Sequence, residues 1–587
     1  MSFNAPLLDI MFAMKHASGF ELLREIPRFA DFDDDTAIAV LTEAGRLMTE
    51  KIAPLNTVGD QNPARLENDH VVLPPGWKDA YEAYVQGGWL GLPFTHEIGG
   101  MGLPMVVNAA VADMMNGANL AFGVGPLLTQ GAVEALSVHA SEELKVAYLP
   151  KMVTGEWAAT MNLTEPQAGT DLGLLKTRAE PADDDSYRIT GTKIFITYGD
   201  HDLTENIIHL VLARLPDAPV GTRGISLFLV PKFLLKPDGT PGRRNDVRCI
   251  GLERKLGIHA SPTCVMAFGE NDGATGFLVG EPHGGLTAMF TMMNNARLLV
   301  GIQGVGIAER AGQQALAYAK ERRQGRRPGG KQTAAIVEHP DVRRNLAAIR
   351  ALTAAARAIC YATAVALDLA HLGGDEDTRA RFGARADLLT PIAKAFSTDA
   401  GVEAASIGIQ VHGGMGYIEE TGAAQTLRDA RIGPIYEGTN GVQAIDLVTR
   451  KLGGDGGEAA RTLIAELRGT ATEVMALNAP GFGRMGACLG EAVDELEAAT
   501  DWLVGALGSD RDKALAGATP YLRLFGLTAG AGFLAQGALA QLKQDDAEPG
   551  NRLVLVRFMA ENLLPETGSL ARAITGGADG LLGYDFS

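Results

Sequence analysis

The sequence predicts a mainly α-helical protein, interrupted once by a β-rich region and closed by a helical extension. Three observations carry this. Apolar residues recur at helical spacing on both sides of residues 158–283, and short β-branched runs fill that interval. A glycine cluster at 453–457 then separates a last set of amphipathic patterns from what precedes it.

In chain order, residues 1–157 are expected to form an α-helical domain. Ile38, Leu41, Met48 and Ile52 lay one apolar face along a helix over 35–52, and Trp77 to Leu90 and Val106 to Met115 repeat the pattern. Residues 158–283 are expected to form a β domain, with strands at Tyr187–Ile196, Ile207–Ala213, Ile225–Val230 and Cys264–Phe268 punctuated by Gly and Pro. Residues 284–452 return to alanine-rich helical patterns over Leu286–Arg322, His339–Leu372 and Ala380–Val411, which suit an antiparallel four-helix bundle. Gly453-Gly454-Asp455-Gly456-Gly457 reads as a linker, because consecutive glycines hold a helix only at high entropic cost. Residues 453–587 form the last domain. Leu463, Leu467 and Val474, then Leu489, Val493, Leu496 and Leu503, then the run from Tyr521 to Leu542, are spaced as amphipathic helices. Their polar faces carry Glu458, Glu466, Glu491, Asp494, Glu495, Glu497 and Asp501, so packing on the protein's own bundle is expected rather than on anionic lipid.

Composition narrows the function classes. The chain has 587 residues and 46% hydrophobic content, enough for several cores. A formal charge of -18 disfavours nucleic acid or an anionic membrane as a main partner. Arg322, Arg323, Arg326 and Arg327 nevertheless make a local basic patch able to hold phosphates. The four cysteines, Cys249, Cys264, Cys360 and Cys488, show no metal-ligand spacing and read as reduced structural thiols, so no metal is expected. The apolar stretch Met1–His16 is broken by Asp9 and lacks the basic flank and cleavage site of a signal peptide. No run approaches the roughly 20 apolar residues of a membrane span, and the expected compartment is the cytoplasm.

The candidate chemistry lies in Arg431-Ile432-Gly433-Pro434-Ile435-Tyr436-Glu437-Gly438-Thr439. Pro434 disfavours helix before it, and Thr439 or Asn440 caps the run in which Val442, Ile445, Val448 and Leu452 recur at helical spacing. Glu437 therefore sits on a turn at a helix start, where a carboxylate is either solvated or partly desolvated with its proton affinity raised. The loop Met161-Asn162-Leu163-Thr164-Glu165-Pro166-Gln167-Ala168-Gly169-Thr170-Asp171 offers hydroxyls and free amides to a planar polar cofactor edge. Phe195-Ile196-Thr197 ends a strand, and Arg322-Arg323-Gln324 and Gln410-Val411-His412-Gly413-Gly414-Met415-Gly416 follow.

These motifs, in this order from about Ala37 to Leu452, resemble the acyl-CoA dehydrogenase family in its long form, which carries an extra C-terminal helical domain over the bundle. The resemblance implies an N-terminal helical domain, a middle β barrel-like domain and a four-helix bundle. It also implies FAD, contacted by Met161, Leu163, Thr164, Gly169, Thr170, Phe195, Thr197, Arg322, Gln410, Gly413, Gly414 and Thr439. Arg322 matches an arginine on the FAD pyrophosphate, and Gln410, Gly413 and Gly414 match a motif that reaches the neighbouring subunit's FAD, implying a homodimer or a dimer of dimers. Two positions depart from the family: Phe195 stands where Trp is usual, and Gly325-Arg326 replaces a common Phe-Gly.

For the reaction, the resemblance implies Glu437 as catalytic base and Thr170, Asn294, Arg297 and Gly438 as substrate contacts. Asn294 and Arg297 lie three apart and share a helix face. A subset of the family carries its base on that helix, but Thr291–Arg297 contains no carboxylate here. The implied activity is α,β-dehydrogenation of an acyl-CoA thioester to the trans-2-enoyl-CoA, with electrons leaving to an electron-transfer flavoprotein. Lys255–Thr263 and Glu321–Pro328 carry a closer resemblance to bacterial long forms handling short to medium acyl-CoA, including 3-(methylthio)propanoyl-CoA in dimethylsulfoniopropionate breakdown. The rival readings are an acyl-CoA oxidase, a DNA-associated relative and a non-catalytic assembly protein. Peroxide release, a gel shift and retention of Glu437 respectively separate them.

Overall fold

The computed structural model describes residues 3–327, 329–477, 479–543 and 550–587; Met1 of the N-terminal stretch and Pro328 of the arginine-rich run lie outside them. The principal helices, in chain order, are α1 (Leu7–His16), α2 (Asp34–Leu47), α3 (Trp77–Gln86), α4 (Met105–Ala118), α5 (Leu120–His139), α6 (Glu142–Thr154), α7 (Gly285–Glu321), α8 (Pro340–Leu372), α9 (Glu376–His412), α10 (Ala423–Ala430), α11 (Asn440–Asp446), α12 (Glu458–Leu477), α13 (Met485–Ser509), α14 (Ala518–Lys543), α15 (Gly550–Phe558) and α16 (Thr567–Gly576). The chain divides into two compact units, one of Met1–Gly45, Pro104–Gly117 and Arg297–Ser587, the other of Arg46–Leu103 and Ala118–Ala296.

The second unit is built on an eight-stranded sheet. Its strands are β1 (Trp157–Asn162), β2 (Arg178–Pro181), β3 (Tyr187–Thr197), β4 (Asn206–Arg214), β5 (Ile225–Pro231), β6 (Val247–Leu252), β7 (Thr263–Phe268) and β8 (Ala274–Val279). The order is β6-β7-β3-β8-β5-β4-β1, with β2 pairing β3 and β4. All of β5 and nearly all of β4 are buried, so these strands are continuous apolar runs rather than alternating ones. Helix α5 lies on β1, where Thr129 Oγ1 accepts from Ala159 N at 3.0 Å. Phe122 of α5 closes an aromatic cluster with Trp77 and Tyr84 of α3.

One irregularity shapes the edge of this sheet. The β3–β7 register shifts between Ile196↔Cys264 and Lys193↔Met266, so Ile194 and Phe195 together oppose Val265. Phe195 sits at φ 60° in this bulge, and its residue is 58% exposed. A left-handed bulge position is normally glycine's, so a phenylalanine there is held by its surroundings and aimed outward.

In the first unit α8 and α9 fold back on each other across Gly373–Asp375. Helix α7 packs against them through small residues. A methyl group at Gly301 would meet Ala393 O, one at Gly304 would overlap Ser397, and one at Gly312 would press on Ile349. Because 301 lies by 393, 304 by 397 and 311 by 408, α7 and α9 run parallel. Buried Arg357 of α8 ties the layer together, binding Asp113 of α4 at 2.6 Å and Glu309 of α7 at 3.1 Å. Tyr361 also donates to Asp113, at 3.0 Å.

The extension packs on this bundle by the same device. A methyl at Gly526 of α14 would overlap the Phe396 ring of α9, and one at Gly530 would meet Ala355 of α8. Arg523 pairs with Glu403 of α9 at 3.2 Å and with Glu566 at 2.6 Å, and Arg385 of α9 pairs with Glu466 of α12. The N-terminal helix joins the same end of the chain. Phe12 of α1 packs against Gly537 of α14 and lies 4.9 Å under the Arg552 guanidinium of α15.

Four expectations need correction. Gly453–Asp455 is not a loose linker but a further helical turn after a π turn at Leu447–Leu452; only Gly456 and Gly457, at φ 69° and 86°, break the helix. The helix after Thr439 buries Ala444, Leu447, Val448 and Leu452, while Ile445 is 44% exposed, because the π turn shifts the apolar face. The helix expected over 35–52 likewise gives way to a π turn at Met48–Ile52, and Ile38 is 46% exposed. Helix α8 is long and apolar enough to cross a membrane, one 18-residue stretch of it having mean hydropathy 1.4, yet 83% of that stretch is buried inside the protein, as in a core helix.

Candidate active site

Glu437 is positioned by a closed turn rather than by a helix. After α10, Gly433 N donates to Ala430 O at 3.2 Å and Ile435 N to Ile432 O at 2.9 Å. Asn440 N then reaches back to Pro434 O at 3.0 Å. Glu437 and Gly438 both take positive φ, 55° and 83°. A left-handed non-glycine residue costs about 1–2 kcal/mol, so neighbouring bonds must hold it. Thr439 caps α11, its Oγ1 accepting from Val442 N at 3.3 Å.

Lys394 and Arg297, beside the turn, are buried and charged, while Glu437 and Tyr436 on it are partly exposed. Burial pushes the Glu437 carboxyl up to about 7, opposed by the positive charges of Lys394 and Arg297. Burial also brings the Lys394 ammonium down to about 7, opposed by Glu437 and Asp399. Arg297 of α7 is buried, and its Nε makes no protein hydrogen bond among the described residues. The Tyr436 hydroxyl donates to Gln303 Oε1 of α7, and burial raises its proton affinity. The arrangement suits a base that is half ionised near neutrality and keeps cations at hand.

Of the other expected site residues in this unit, Gly438, Thr439 and Arg297 belong to the Glu437 cluster. Arg322, Gln410, Gly413 and Gly414 form a second, exposed group at the far ends of α7 and α9. Those ends are joined by Tyr318 stacked on His412, ring centroids 4.6 Å apart. Gly413 stands at φ 61° with open space where a side chain would project. Arg322 then leads into a short hairpin, Arg323–Arg326 with Thr333–Ala335, that sequence patterns did not indicate.

In the second unit the loop after β1 is bound to the end of β3. Buried Glu165 accepts from Lys176 N at 2.7 Å, Thr177 N at 3.0 Å, Thr177 Oγ1 at 2.6 Å and Lys193 Nζ at 2.9 Å. Lys193 also donates to Leu163 O at 2.9 Å, and Ile194 N to Thr164 O at 2.9 Å. These bonds bring Leu163 and Thr164 to Lys193 and Ile194, next to Phe195, while Met161 lies on β1 opposite Leu210 and Gly169 and Thr170 stand exposed on the loop. In this unit the exposed ring of Phe195 flanked by threonines fits the edge of a flavin; in the first unit the exposed Arg322 suits a pyrophosphate. Asn294 is exposed and Arg297 buried, so the two do not share an environment.

Sequence reasoning missed Lys394, Gln303 and the structural role of Glu165. The available signal for Lys394 was a lone lysine inside the apolar run Pro391–Phe396.

Comparison with known proteins gives the family. Family models match the acyl-CoA dehydrogenase N-terminal domain at 35–156, the middle domain at 160–271 and the C-terminal domain at 283–452. An acetyl-CoA dehydrogenase C-terminal-like domain matches 463–585. The chain is 48% identical to 3-methylmercaptopropionyl-CoA dehydrogenase of Ruegeria pomeroyi over 99% of each protein. It is 33% identical to the broad-specificity linear acyl-CoA dehydrogenase of Mycobacterium tuberculosis over 96% of each. Among solved structures, Caenorhabditis elegans ACDH-11 in complex with C11-CoA has a TM-score of 0.78 at 20% identity, covering 98% of this chain and 95% of that one. A Bacillus anthracis acyl-CoA dehydrogenase complexed with FAD has a TM-score of 0.74 at 21% identity, covering 98% and 93%; both likenesses concern the fold. The chain belongs to the acyl-CoA dehydrogenase family, in a form with an extra C-terminal domain. It is an FAD-dependent enzyme that dehydrogenates acyl-CoA thioesters.

Proposed function

We propose that Glu437 is the base of this dehydrogenation, that the preferred thioester is 3-(methylthio)propanoyl-CoA or a short to medium saturated acyl-CoA, and that the product is the trans-2-enoyl-CoA. The observation that carries the reading is the desolvated Glu437 carboxyl on a clamped left-handed turn beside Arg297 and Lys394. The likeness to the Ruegeria pomeroyi dehydrogenase supports the substrate class.

In this mechanism the thioester carbonyl acidifies the α carbon, and the ionised Glu437 takes the α proton. FAD, when bound, supplies the acceptor for the hydride that leaves the β carbon. Arg297 and Gly438, with Asn294 and Thr170, orient the thioester. Met161, Leu163, Thr164, Gly169, Thr170, Phe195, Thr197 and Thr439 would hold the flavin end, Arg322 the pyrophosphate, and Gln410, Gly413 and Gly414 would reach the FAD of the neighbouring subunit. Electrons then pass to an electron-transfer flavoprotein, and the enzyme works in the cytoplasm as a homodimer or dimer of dimers. Its domains are placed at 1–157, 158–283, 284–452 and 453–587, a division supported by family models at 35–156, 160–271, 283–452 and 463–585.

Anaerobic bleaching of the flavin over a panel of acyl-CoA thioesters tests cofactor, reaction and substrate in one trace. The expected result is bleaching by 3-(methylthio)propanoyl-CoA and butanoyl-CoA with formation of the enoyl product. A flavin left oxidised by every saturated thioester would overturn the reading. Stoichiometric peroxide release during aerobic turnover without another acceptor would replace it with an oxidase.

A further inference from the structure

Lys394 is 0% exposed and lies on α9 within the apolar stretch Pro391–Phe396. Its Nζ donates to Gly438 O at 2.8 Å and to Asn440 Oδ1 at 2.9 Å. Asn440 is itself fixed, its Nδ2 donating to Ala395 O at 3.1 Å, Thr398 Oγ1 at 3.0 Å and Asp399 Oδ1 at 2.8 Å. Two residues of one helix turn, Lys394 and Thr398, thus staple the backbone that follows Glu437. A neutral donor would satisfy Gly438 O with less desolvation than an ammonium. The retained charge therefore calls for a role beyond the hydrogen bond.

We infer that Lys394 is a positioning residue: it holds the turn that carries Glu437 and supplies the positive charge this carboxylate faces. The inference rests on Glu437 as the base. The charged groups facing Lys394 are Glu437, Asp399 and Arg297. Those facing Glu437 are Lys394 and Arg297, with the Tyr436 hydroxyl adjacent. Asp446 and Arg450 in turn face Arg297, and Arg431 and Arg523 face Asp399. Glu437 and Lys394 each favour the other's charged form. When Glu437 takes the substrate proton, Lys394 loses its counter-charge and its own hold on a proton weakens.

The test is the pH dependence of anaerobic flavin reduction in Lys394→Met, Lys394→Gln and Lys394→Arg, with FAD content measured alongside. Removing the ammonium raises the proton affinity of Glu437, so in the Met and Gln variants the acid limb should move up by about one pH unit. The rate at pH 7 should then fall roughly fivefold through the lost carboxylate fraction, with KM little changed and FAD retained. Arg should restore the limb, because it keeps the charge. Should the Met variant not fold, Gln retains an uncharged donor to Gly438 O and carries the same test. Uncharged variants that hold FAD and keep the wild-type acid limb would overturn the inference. Glu437→Gln distinguishes the two levels: if it abolishes reduction while the limb is unmoved in Lys394→Gln, only the role of Lys394 falls. If Glu437→Gln reduces normally, the base assignment itself falls.

Discussion

At the scale of single residues, the chemistry depends on one carboxyl poised near neutrality. Its proton affinity is raised by burial, so the ionised, basic form is populated above about 7 and lost below it. The kcat/KM for flavin reduction is therefore expected to rise with pH through that region. Glu437→Gln keeps shape and hydrogen bonding but removes basicity, and reduction should fall by roughly 10²–10⁴-fold with FAD still bound. Near-normal reduction in stopped flow would move the search to another carboxylate. Glu437 was visible in the sequence through the motifs that accompany it in order along the chain; Pro434 and Thr439 alone mark an ordinary turn carboxylate. Lys394 was not, since a lone lysine in an apolar run marks burial without naming a partner. Only the approach of Gly438 and Asn440 from residues more than 40 positions away assigns it a partner.

At the scale of elements, glycine decides how closely helices approach. Gly526 sits mid-helix in α14, where alanine would ordinarily stabilise by roughly 1 kcal/mol through helix propensity. Here the added methyl overlaps the Phe396 ring, and overpacking costs about 1–3 kcal/mol. The strain wins, so Gly526→Ala is expected to lower thermal stability. Gly469→Ala, on the exposed face of α12 with no atom near the new methyl, should raise it. Calorimetry on the two variants checks the sign, and a stabilised Gly526→Ala would mean that α14 does not lie on Phe396. The long helices were readable because their apolar period runs over many turns. The π turns at Met48–Ile52 and Leu447–Leu452 were not, because one inserted residue displaces the apolar face without any marker residue. The hairpin at Arg323–Arg326 and Thr333–Ala335 escaped for another reason. Its first strand is fully exposed and charged, so it lacks the apolar alternation by which strands are recognised.

At the scale of the molecule, the extension is a wall of the bundle. Deleting 455–587 would strip cover from Phe396 and Ala355 and leave Arg385 and Glu403 without the ion pairs they make with Glu466 and Arg523. The truncated protein is expected to aggregate or lose subunits in sizing experiments. The intact enzyme should not float with anionic liposomes at physiological salt, because the outer faces of α12 and α13 are rich in Asp and Glu. A truncated form that stays dispersed, correctly assembled and equally heat-stable would show the extension to be dispensable.

The seating of Phe12 against Gly537 and beneath Arg552 links the first helix of the chain to nearly the last. A ribosome adding about 5–20 residues per second needs on the order of half a minute to two minutes to make the chain between them. Throughout that interval α1 has only its seat on α8, where Asp9 lies 3.3 Å from Arg350, and lacks the cover that α14 and α15 supply. Helix α1 is therefore made early and fully enclosed late. Nascent chains arrested before Ala518 should be clipped by protease near Phe12, and chains released past Phe558 should resist.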